Sequence, residues 1–323
     1  MQTILVTGSA GFIGWATCKL LLKKGINVIG IDNISDYYDP KIKHLRIQTL
    51  KENKNFVFYE DDIENLQVLK SIFNSHKIEG IINLAARAGV RASVENPWGY
   101  LDTNVKGTIN LLECVKDYGM EVFVLASTSS VYGDTDRMPF RVSDTTDKPL
   151  APYPASKKAA ELFCYSYHYL YGINTIIARY FTVYGPFGRP DMSIFRFIKK
   201  IDIGEPIVVY GDGKQKRDFT YVEDIAEATV LCLNLKGYKV LNLGNDRPVE
   251  LIYVIKIIED LLGKKANIEW QKRHPADIYA TWADITEARD YLGWRPKVSI
   301  EEGIRKTIDW YRENREILKD IKI

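Results

Sequence analysis

Cysteine, histidine, long apolar runs and net charge are all scarce in this sequence of 323 residues. It holds four histidines and four cysteines, and the cysteines are Cys18, Cys114, Cys164 and Cys232. Their wide separation does not match the spacing of metal ligands, so no metal site is expected. Free thiols of this kind suit a reducing cytoplasm.

The remaining absences narrow the range of partners. No apolar run reaches membrane-spanning length, and the chain opens directly on a strand pattern that leaves no room for a signal peptide. The net charge is +2, from 44 basic and 42 acidic residues that are mixed along the chain. A binding surface for polyanions is therefore not indicated. We expect a cytoplasmic protein with neither membrane nor nucleic acid as a partner.

Strand and helix patterns, recognised by the period and length of their apolar runs, alternate through roughly the first 180 residues. Short apolar runs typical of buried parallel strands occur at 4–6, 28–31, 56–58, 80–84, 122–125 and 175–179. Patterns with helical period lie between them, at 12–24, 66–73, 101–118 and 155–171. This alternation predicts an α/β fold with a Rossmann-type, doubly wound parallel sheet.

The later part of the chain is mixed α/β and reads as a smaller C-terminal, substrate-binding domain. The Pro/Gly-rich stretch 184–190 marks the change, so we assign residues 1–181 to the sheet domain and 182–323 to the second domain. Residues 222–243 could return to pack on the first domain. Because open α/β sheets bind ligands at the carboxyl ends of their strands, the second domain is expected to cover that edge.

A glycine-rich loop joins the first strand to the first helix. Gly8, Gly11 and Gly14 form G-x-x-G-x-x-G, which lets the backbone approach a pyrophosphate at the helix N-terminus. A plain turn would carry similar glycines, but a strand precedes this loop and a helix follows it. Asp32 ends the second strand, where its carboxylate would accept ribose hydroxyls and repel a 2′-phosphate. The pattern predicts NAD as the cofactor.

Tyr153 and Lys157 form Y-x-x-x-K at a helix start, which places both side chains on one face. A neighbouring ammonium and a cationic nicotinamide ring would favour phenolate, so the pKa of Tyr153 is expected to fall and Tyr153 to act as a general base. Thr128, Ser129 and Ser130 follow a strand, and their hydroxyls should point into the same cleft. Taken alone, Y-x-x-x-K could be an ordinary surface pair, and Thr128, Ser129 and Ser130 would indicate only a turn rich in small polar residues.

Taken together, these motifs resemble the extended short-chain dehydrogenase/reductase superfamily over nearly the whole chain. The segments 179–192 (RYFTVYGPFGRPDM), 217–221 (RDFTY) and 32–39 (DNISDYYD) are most similar to UDP-glucuronate 4-epimerases. The resemblance implies NAD as cofactor, a UDP-sugar as substrate and a homodimer. The expected cofactor contacts are Gly8, Gly11, Phe12, Ile13, Gly14, Asp32, Asn33, Asp62, Ile63, Leu84, Ala85, Ala86, Asn104, Tyr153, Lys157 and Tyr180. Asn104 could equally be a packing residue.

The resemblance also implies roles at the sugar. Tyr153 would take the proton of the 4-hydroxyl while the hydrogen on carbon 4 passes to NAD, Lys157 would hold the nicotinamide ribose, and Ser129 or Ser130 would bind the 4-oxygen. The resulting 4-keto uronate is a β-keto acid that loses CO₂ when its C–C bond aligns with the carbonyl. Several donors should therefore hold the carboxylate. The expected substrate contacts are Arg87, Thr128, Ser129, Ser130, Thr182, Arg189, Tyr210, Arg217, Arg273 and Asp277.

Several alternatives stay open. Arg189 could bind the carboxylate or the pyrophosphate, Arg217 could bind the diphosphate or pair with Asp218 or Asp224, and Tyr210 could contact uracil or belong to the core. Ser129 and Ser130 stand where sugar dehydratases and uronate decarboxylases carry an acid. The rival functions are a 4-epimerase of UDP-glucose or UDP-N-acetylhexosamine, a UDP-glucuronate decarboxylase, and a non-catalytic NAD-binding regulator.

Overall fold

We describe a computed structural model of the chain, which covers residues 2–272 and 278–323. These ranges contain thirteen strands and thirteen α-helices. The strands are β1 Thr3–Thr7, β2 Asn27–Asp32, β3 Phe56–Glu60, β4 Gly80–Asn83, β5 Val122–Thr128, β6 Asn174–Tyr180, β7 Thr182–Tyr184, β8 Ile207–Tyr210, β9 Lys216–Arg217, β10 Phe219–Tyr221, β11 Tyr238–Leu243, β12 Val249–Glu250 and β13 Ile268–Gln271. The helices are α1 Phe12–Lys23, α2 Lys41–Lys51, α3 Leu66–Ser75, α4 Val90–Glu95, α5 Trp98–Tyr100, α6 Gly107–Tyr118, α7 Pro152–Tyr171, α8 Ser193–Ile203, α9 Val222–Leu231, α10 Leu251–Leu262, α11 Thr286–Leu292, α12 Ile300–Glu313 and α13 Arg315–Leu318.

Seven parallel strands form the central sheet in the order β11-β6-β5-β4-β1-β2-β3. Its inner strands, such as β5 and β6, are nearly continuous runs of buried residues, because helices cover both faces. One apolar core lies under α1 and α9 and a second under α3, α6 and α7. The doubly wound Rossmann-type sheet expected from the alternation of patterns is confirmed.

The strand β11 comes late in the chain but lies beside β6, where Val240 and Leu241 pair with Ile177 and Ala178. The helix α9 packs on α1 within the core on that face. Residues 222–243 thus extend the central sheet by one strand and one helix. Among the other C-terminal elements, α8, α10 and α12, with α2 and β7, enclose a separate core that includes Ile42, Phe195 and Ile258, whereas α11 packs in the first core.

The predicted helix 101–118 differs in its first part. Leu101–Lys106 is a π-helical segment, and the regular helix α6 begins only at Gly107. Such segments are inserted turns that re-aim side chains, and a pattern of helical period does not distinguish them from α-helix. Gly119 ends α6 in the left-handed conformation, as a glycine cap does.

Candidate active site

A cavity of about 460 Å³ lies at the carboxyl ends of β1, β2, β4, β5 and β6. Most of the residues predicted from sequence line it. They are Gly8, Gly11, Phe12, Ile13, Gly14, Asp32, Asn33, Asp62, Ile63, Leu84, Ala85, Ala86, Arg87, Thr128, Ser129, Ser130, Tyr153, Lys157, Tyr180, Thr182 and Arg189. Thr182 and Val183 of β7 also contribute to the lining. One cleft therefore joins the expected cofactor residues to the expected sugar residues.

The glycine loop is a cradle with no room for side chains. Gly8 is left-handed, and a Cβ there would lie 2.7 Å from the backbone nitrogen of Ala85. A Cβ at Gly14 would overlap the carbonyl oxygen of Gly8. The helix α1 begins at Phe12 with Gly11 as its N-cap residue, so the N–H groups of its first turn have no intrahelical acceptor. This geometry fits a pyrophosphate group.

Asp32 at the end of β2 is buried and already holds the loop. Its carboxylate accepts the Ala10 N–H at 3.1 Å and the Ile34 N–H at 2.9 Å, and Lys43 Nζ lies 3.6 Å away. Asn33 donates to the carboxylate of Asp62 at 2.6 Å, which joins the ends of β2 and β3. Lys43 also lines the cavity. The sequence pattern gave no signal for it, since a lysine on a surface helix is ordinary.

Tyr153 and Lys157 stand in the first turns of α7, facing the Thr128–Ser130 corner after β5. The helix starts here because Pro152 suits its first position. The Thr128 hydroxyl accepts the Ser130 N–H at 3.2 Å, which shapes the corner. Lys157 is buried, and burial lowers the pKa of its ammonium to about 8.

The expected fall in the pKa of Tyr153 is wrong for the protein by itself. Burial raises the pKa of the phenol, and the groups that oppose this rise are the hydrogen-bonded Thr128 hydroxyl and the Arg189 guanidinium. The i, i+4 spacing places Lys157 on the same face but does not make it the dominant influence. Desolvation, which sequence spacing does not report, sets the direction.

Arg189 reaches the cavity from the segment after β7. Its guanidinium donates to both oxygens of Asp191, Nε to Oδ1 at 3.0 Å and Nη2 to Oδ2 at 2.6 Å. Its face lies over the rings of Tyr37 and Tyr38, 5.5 Å from each centroid. The cation is held in a defined orientation beside Tyr153. Sequence reasoning missed Tyr37, Tyr38 and Asp191 as site residues, although all three lie in the quoted family segments.

Asn104 lies behind the cavity wall rather than in it. Its amide accepts from Arg87 N at 2.9 Å and donates to Arg87 O at 3.0 Å and to Ser156 Oγ at 2.9 Å. Ser156 in turn donates to the carbonyl of Tyr153 at 2.8 Å. The expected direct contact with cofactor is replaced by a role in bracing the Arg87 loop against α7.

The same network continues to β1. Thr108 accepts from Asn83 at 3.1 Å and donates to the Asn104 carbonyl at 2.7 Å. Thr7 donates to Asn83 at 2.7 Å and accepts the N–H groups of Leu84 and Ala85. A buried polar chain thus runs from the end of β1 to the first turn of α7.

Tyr210 and Arg217 lie outside the cavity lining, on β8 and β9. The ring of Tyr210 stacks on the Arg91 guanidinium, 4.0 Å from its centroid, and is not a simple core residue. Arg217 donates to the carbonyls of Lys216 and Tyr279. The carboxylate of Asp218 accepts three backbone N–H groups, and that of Asp224 accepts two. Arg273 and Asp277 lie outside the described residues.

The described residues contain no cluster of His, Cys, Asp or Glu suited to a metal ion. No helix in ranges 2–272 and 278–323 is long and apolar enough to cross a membrane.

The fold and the cleft define the class of protein. A parallel seven-stranded sheet, a glycine cradle after β1 and a Tyr/Lys pair at the head of α7 are the features of an extended short-chain dehydrogenase/reductase. The chain belongs to the family described as GDP-mannose 4,6 dehydratase, whose model matches residues 5–307. The resemblance drawn from the sequence motifs is thereby confirmed.

Individual relatives are similar over their full length. A UDP-glucuronate 4-epimerase of Thermodesulfobacterium geofontis is 53% identical over 324 residues, which cover 100% of both chains. The crystal structure of a UDP-glucuronic acid 4-epimerase from Bacillus cereus, with UDP-glucuronic acid and NAD, matches with a TM-score of 0.90 at 36% identity, covering 97% of this chain and 99% of that one. A UDP-glucose 4-epimerase of Thermotoga maritima matches with a TM-score of 0.90 at 31% identity, covering 97% and 100%.

Proposed function

We propose that this protein is an NAD-dependent 4-epimerase that interconverts UDP-glucuronate and UDP-galacturonate. The observation that carries the proposal is the cleft in which Tyr153, the Thr128–Ser130 hydroxyls and Arg189 meet the glycine cradle. The relatives named above are UDP-sugar 4-epimerases by name, and the Bacillus cereus structure contains both UDP-glucuronic acid and NAD. Their likeness over full length supports the same substrate class here.

The residues around the glycine cradle fit a dinucleotide. Gly8, Gly11 and Gly14 leave space at the start of α1 for a pyrophosphate, and Asp32 and Asp62 stand at the adjacent strand ends, where an adenosine would bind. Lys157 stands where it would hold the nicotinamide ribose. When bound, NAD would accept the hydride from carbon 4 and later return it, so the sugar would pass through a 4-keto form.

Tyr153 handles the proton at the 4-oxygen. Its phenol must ionise to accept that proton, and the Thr128 hydroxyl and Arg189 guanidinium both lower the pKa of Tyr153 against the effect of burial. The Lys157 ammonium on the next turn of α7 adds positive charge to the same region. After the sugar turns in the cleft, the same phenol returns the proton to the 4-oxygen.

Holding the carboxylate is the second requirement of the proposed reaction. Ser129, Ser130, Thr182 and Arg189 all line the cavity and can donate to a carboxylate at carbon 5. Several simultaneous donors fix the plane of that group, which keeps its C–C bond out of alignment with a 4-carbonyl. Ser129 and Ser130 also place neutral hydroxyls where the elimination and decarboxylation enzymes carry an acid.

The decisive test is incubation of the purified protein with UDP-glucuronate, followed by separation of the nucleotide sugars. UDP-galacturonate as the main product is the expected result. UDP-pentose would identify a decarboxylase, turnover of UDP-glucose or UDP-N-acetylhexosamine alone would identify another epimerase, and no turnover of any UDP-sugar would favour an NAD-binding regulator. Each of these three outcomes contradicts the proposal.

The proposed enzyme works as a homodimer in the cytoplasm. Leu162, Phe163, Tyr169 and Leu170 on α7 are 57%, 39%, 77% and 64% exposed, and such a patch is typical of an interface. All four cysteines are free, which suits a reducing compartment. Light scattering during size exclusion should give twice the chain mass of 37.0 kDa. Leu170→Glu should give monomers, and a monomeric native protein would contradict this assembly.

A further inference from the structure

Arg46 on α2 is a fully buried cation whose five hydrogen bonds all go to neutral oxygens. Nη1 donates to the carbonyl of Ala10 and to the hydroxyl of Tyr38, each at 2.8 Å. Nε and Nη2 donate to the carbonyl of Phe187 at 3.2 and 2.7 Å, and Nη2 also reaches Gly188 O at 3.4 Å. A buried guanidinium is costly unless its bonds are well formed, so these contacts call for an explanation.

The two groups of acceptors belong to the two halves of the cleft. Ala10 lies inside the glycine loop, and its N–H is bound by Asp32 while its carbonyl is bound by Arg46. Phe187 and Gly188 immediately precede Arg189, whose guanidinium lies over Tyr38. Arg46 therefore touches the peptide that shapes the cofactor cradle, the backbone that presents Arg189 and the ring beneath it.

The backbone at Phe187 needs such a support. Phe187 has φ 58°, a left-handed conformation that is uncommon for an aromatic residue. Its ring packs between Trp15 on α1 and Trp310 on α12, with centroids 4.4 and 4.8 Å away. The Arg46 fork fixes the carbonyl while the two tryptophans fix the ring. The direction of the chain into Arg189 is thus set from the cofactor side of the cleft.

We propose that Arg46 is a positioning residue that couples the cofactor loop to the Arg189 segment. The proposal has two arms, a first one at the cofactor loop and a second one at the sugar, and the second rests on the function proposed above. On the first arm, the buried positive charge holds the Ala10 peptide and favours an anionic group in the cradle without touching it. On the second arm, the fork orients the segment that meets the sugar nucleotide.

Three variants test the proposal. Arg46→Met removes charge and donors with little change in length, and Arg46→Lys keeps the charge without the fork. Lys199→Met is the matched control, because Lys199 is also a buried cation held by three carbonyls, those of Leu318, Lys319 and Ile321, and is not part of the cavity lining. Calorimetry on protein stripped of nucleotide measures the affinity for NAD. Steady-state kinetics at saturating NAD measure KM and kcat for UDP-glucuronate.

Arg46→Met should weaken NAD binding and raise KM by about tenfold or more each, the effect of losing hydrogen bonds to a charged group. Its kcat should change less than its KM, because Tyr153 and Lys157 stand on α7 and only the Arg189 charge near Tyr153 depends on the Arg46 fork. Arg46→Lys, which keeps the charge but not the fork, should restore the native NAD affinity more completely than it restores the native KM. Lys199→Met should lose thermal stability yet keep both constants within about twofold, because its hydrogen bonds go to the C-terminal carbonyls and not to the cofactor loop or the Arg189 segment.

Two results would overturn the proposal. One is a folded Arg46→Met protein that keeps native NAD affinity and native KM, and the other is a Lys199→Met protein that shifts both constants as much. If Arg46→Met does not fold, the Arg46→Lys variant decides instead, through the difference between its recovery of NAD affinity and its recovery of KM. Equal recovery of the two constants would count against the proposal. A native protein without activity on UDP-glucuronate would refute the proposed function, while NAD calorimetry would still judge the cofactor arm.

Discussion

At the scale of single residues, Tyr153 carries the proposed chemistry. Tyr153→Phe removes the hydroxyl that takes and returns the proton, so turnover should fall by about 10²–10⁴-fold, the usual contribution of a general base. Bound NAD should remain, because the aromatic ring stays in the wall of the cavity. Product formation and nucleotide content of the purified variant measure both effects. Tyr291→Phe on α11, at a residue 49% exposed and outside the cavity lining, is the control and should be fully active.

Lys157 gives the site a dependence on pH. Because burial lowers the pKa of Lys157 to about 8, its ammonium is charged below that pH and neutral above it. One of the two positive charges in the region of Tyr153 is then lost, along with the ammonium proposed to hold the nicotinamide ribose, so kcat/KM should decline above about pH 8 with a slope of one proton. Lys157→Arg keeps its charge throughout and should lack this descending limb. The same limb in the arginine variant would assign it to another group.

Arg189 decides between two contacts with the substrate. If it holds the sugar carboxylate, Arg189→Ala should lower kcat/KM for UDP-glucuronate relative to UDP-glucose by about tenfold or more and leave the affinity for UDP unchanged. Arg189→Lys should restore part of the preference. A parallel loss on both sugars, together with weaker UDP binding, would place Arg189 on the pyrophosphate instead.

Sequence reasoning found the residues that stand on regular elements and missed several that depend on folding over distance. Glycine spacing, Asp32 and Y-x-x-x-K are local signals, and all of these residues line the cavity. Lys43 carries no such signal, because its approach to Asp32 depends on how α2 lies. Asp191 is only two residues from its partner Arg189 and lies in the quoted segment 179–192, so it was within reach of the sequence and was missed. The direction of the Tyr153 pKa depends on burial, which spacing does not show.

At the scale of elements, the loop between β1 and α1 tolerates no side chain. Gly14→Ala would press a methyl group against the Gly8 carbonyl, so the loop must shift and NAD binding should fall by more than about 100-fold. Gly119→Ala is the control, since a Cβ there meets nothing within 4 Å and strains only a helix cap. That change should cost about 1 kcal/mol of stability and leave NAD affinity unaltered. Calorimetry with NAD distinguishes the two, and an alanine at 14 that binds normally would remove the loop from the cofactor site.

Helices and strands were predicted well where the period of the apolar residues and the length of the run indicated the same kind of element. Parallel strands without alternating polarity and helices between them follow from buried apolar runs. The π-helical segment at Leu101–Lys106 escaped prediction because its apolar residues keep a nearly helical spacing. The orientation of Asn104 toward the Arg87 loop escaped prediction as well, because it depends on contacts outside the helix.

At the scale of the whole molecule, the sheet combines the first 180 residues with β11, a strand that comes more than 50 residues later in the chain. A fragment of residues 1–181 lacks β11 and α9, so the edge of β6 would lose its partner, and the apolar face of α1 its cover. We expect this fragment to lack the single cooperative urea transition of the full chain, measured by circular dichroism. A fragment with a cooperative transition would show that residues 1–181 fold independently, against the interleaved packing.

The buried chain from Thr7 through Asn83, Thr108 and Asn104 to Ser156 consists of hydroxyls and amides alone. None of these groups gains or loses a proton between mild acid and mild alkali. Acidity of the medium can therefore alter the charge on Lys157 without disturbing the scaffold that aims the first turn of α7. The enzyme's response to pH is then a matter of electrostatics at the reacting atoms, with the backbone geometry kept constant.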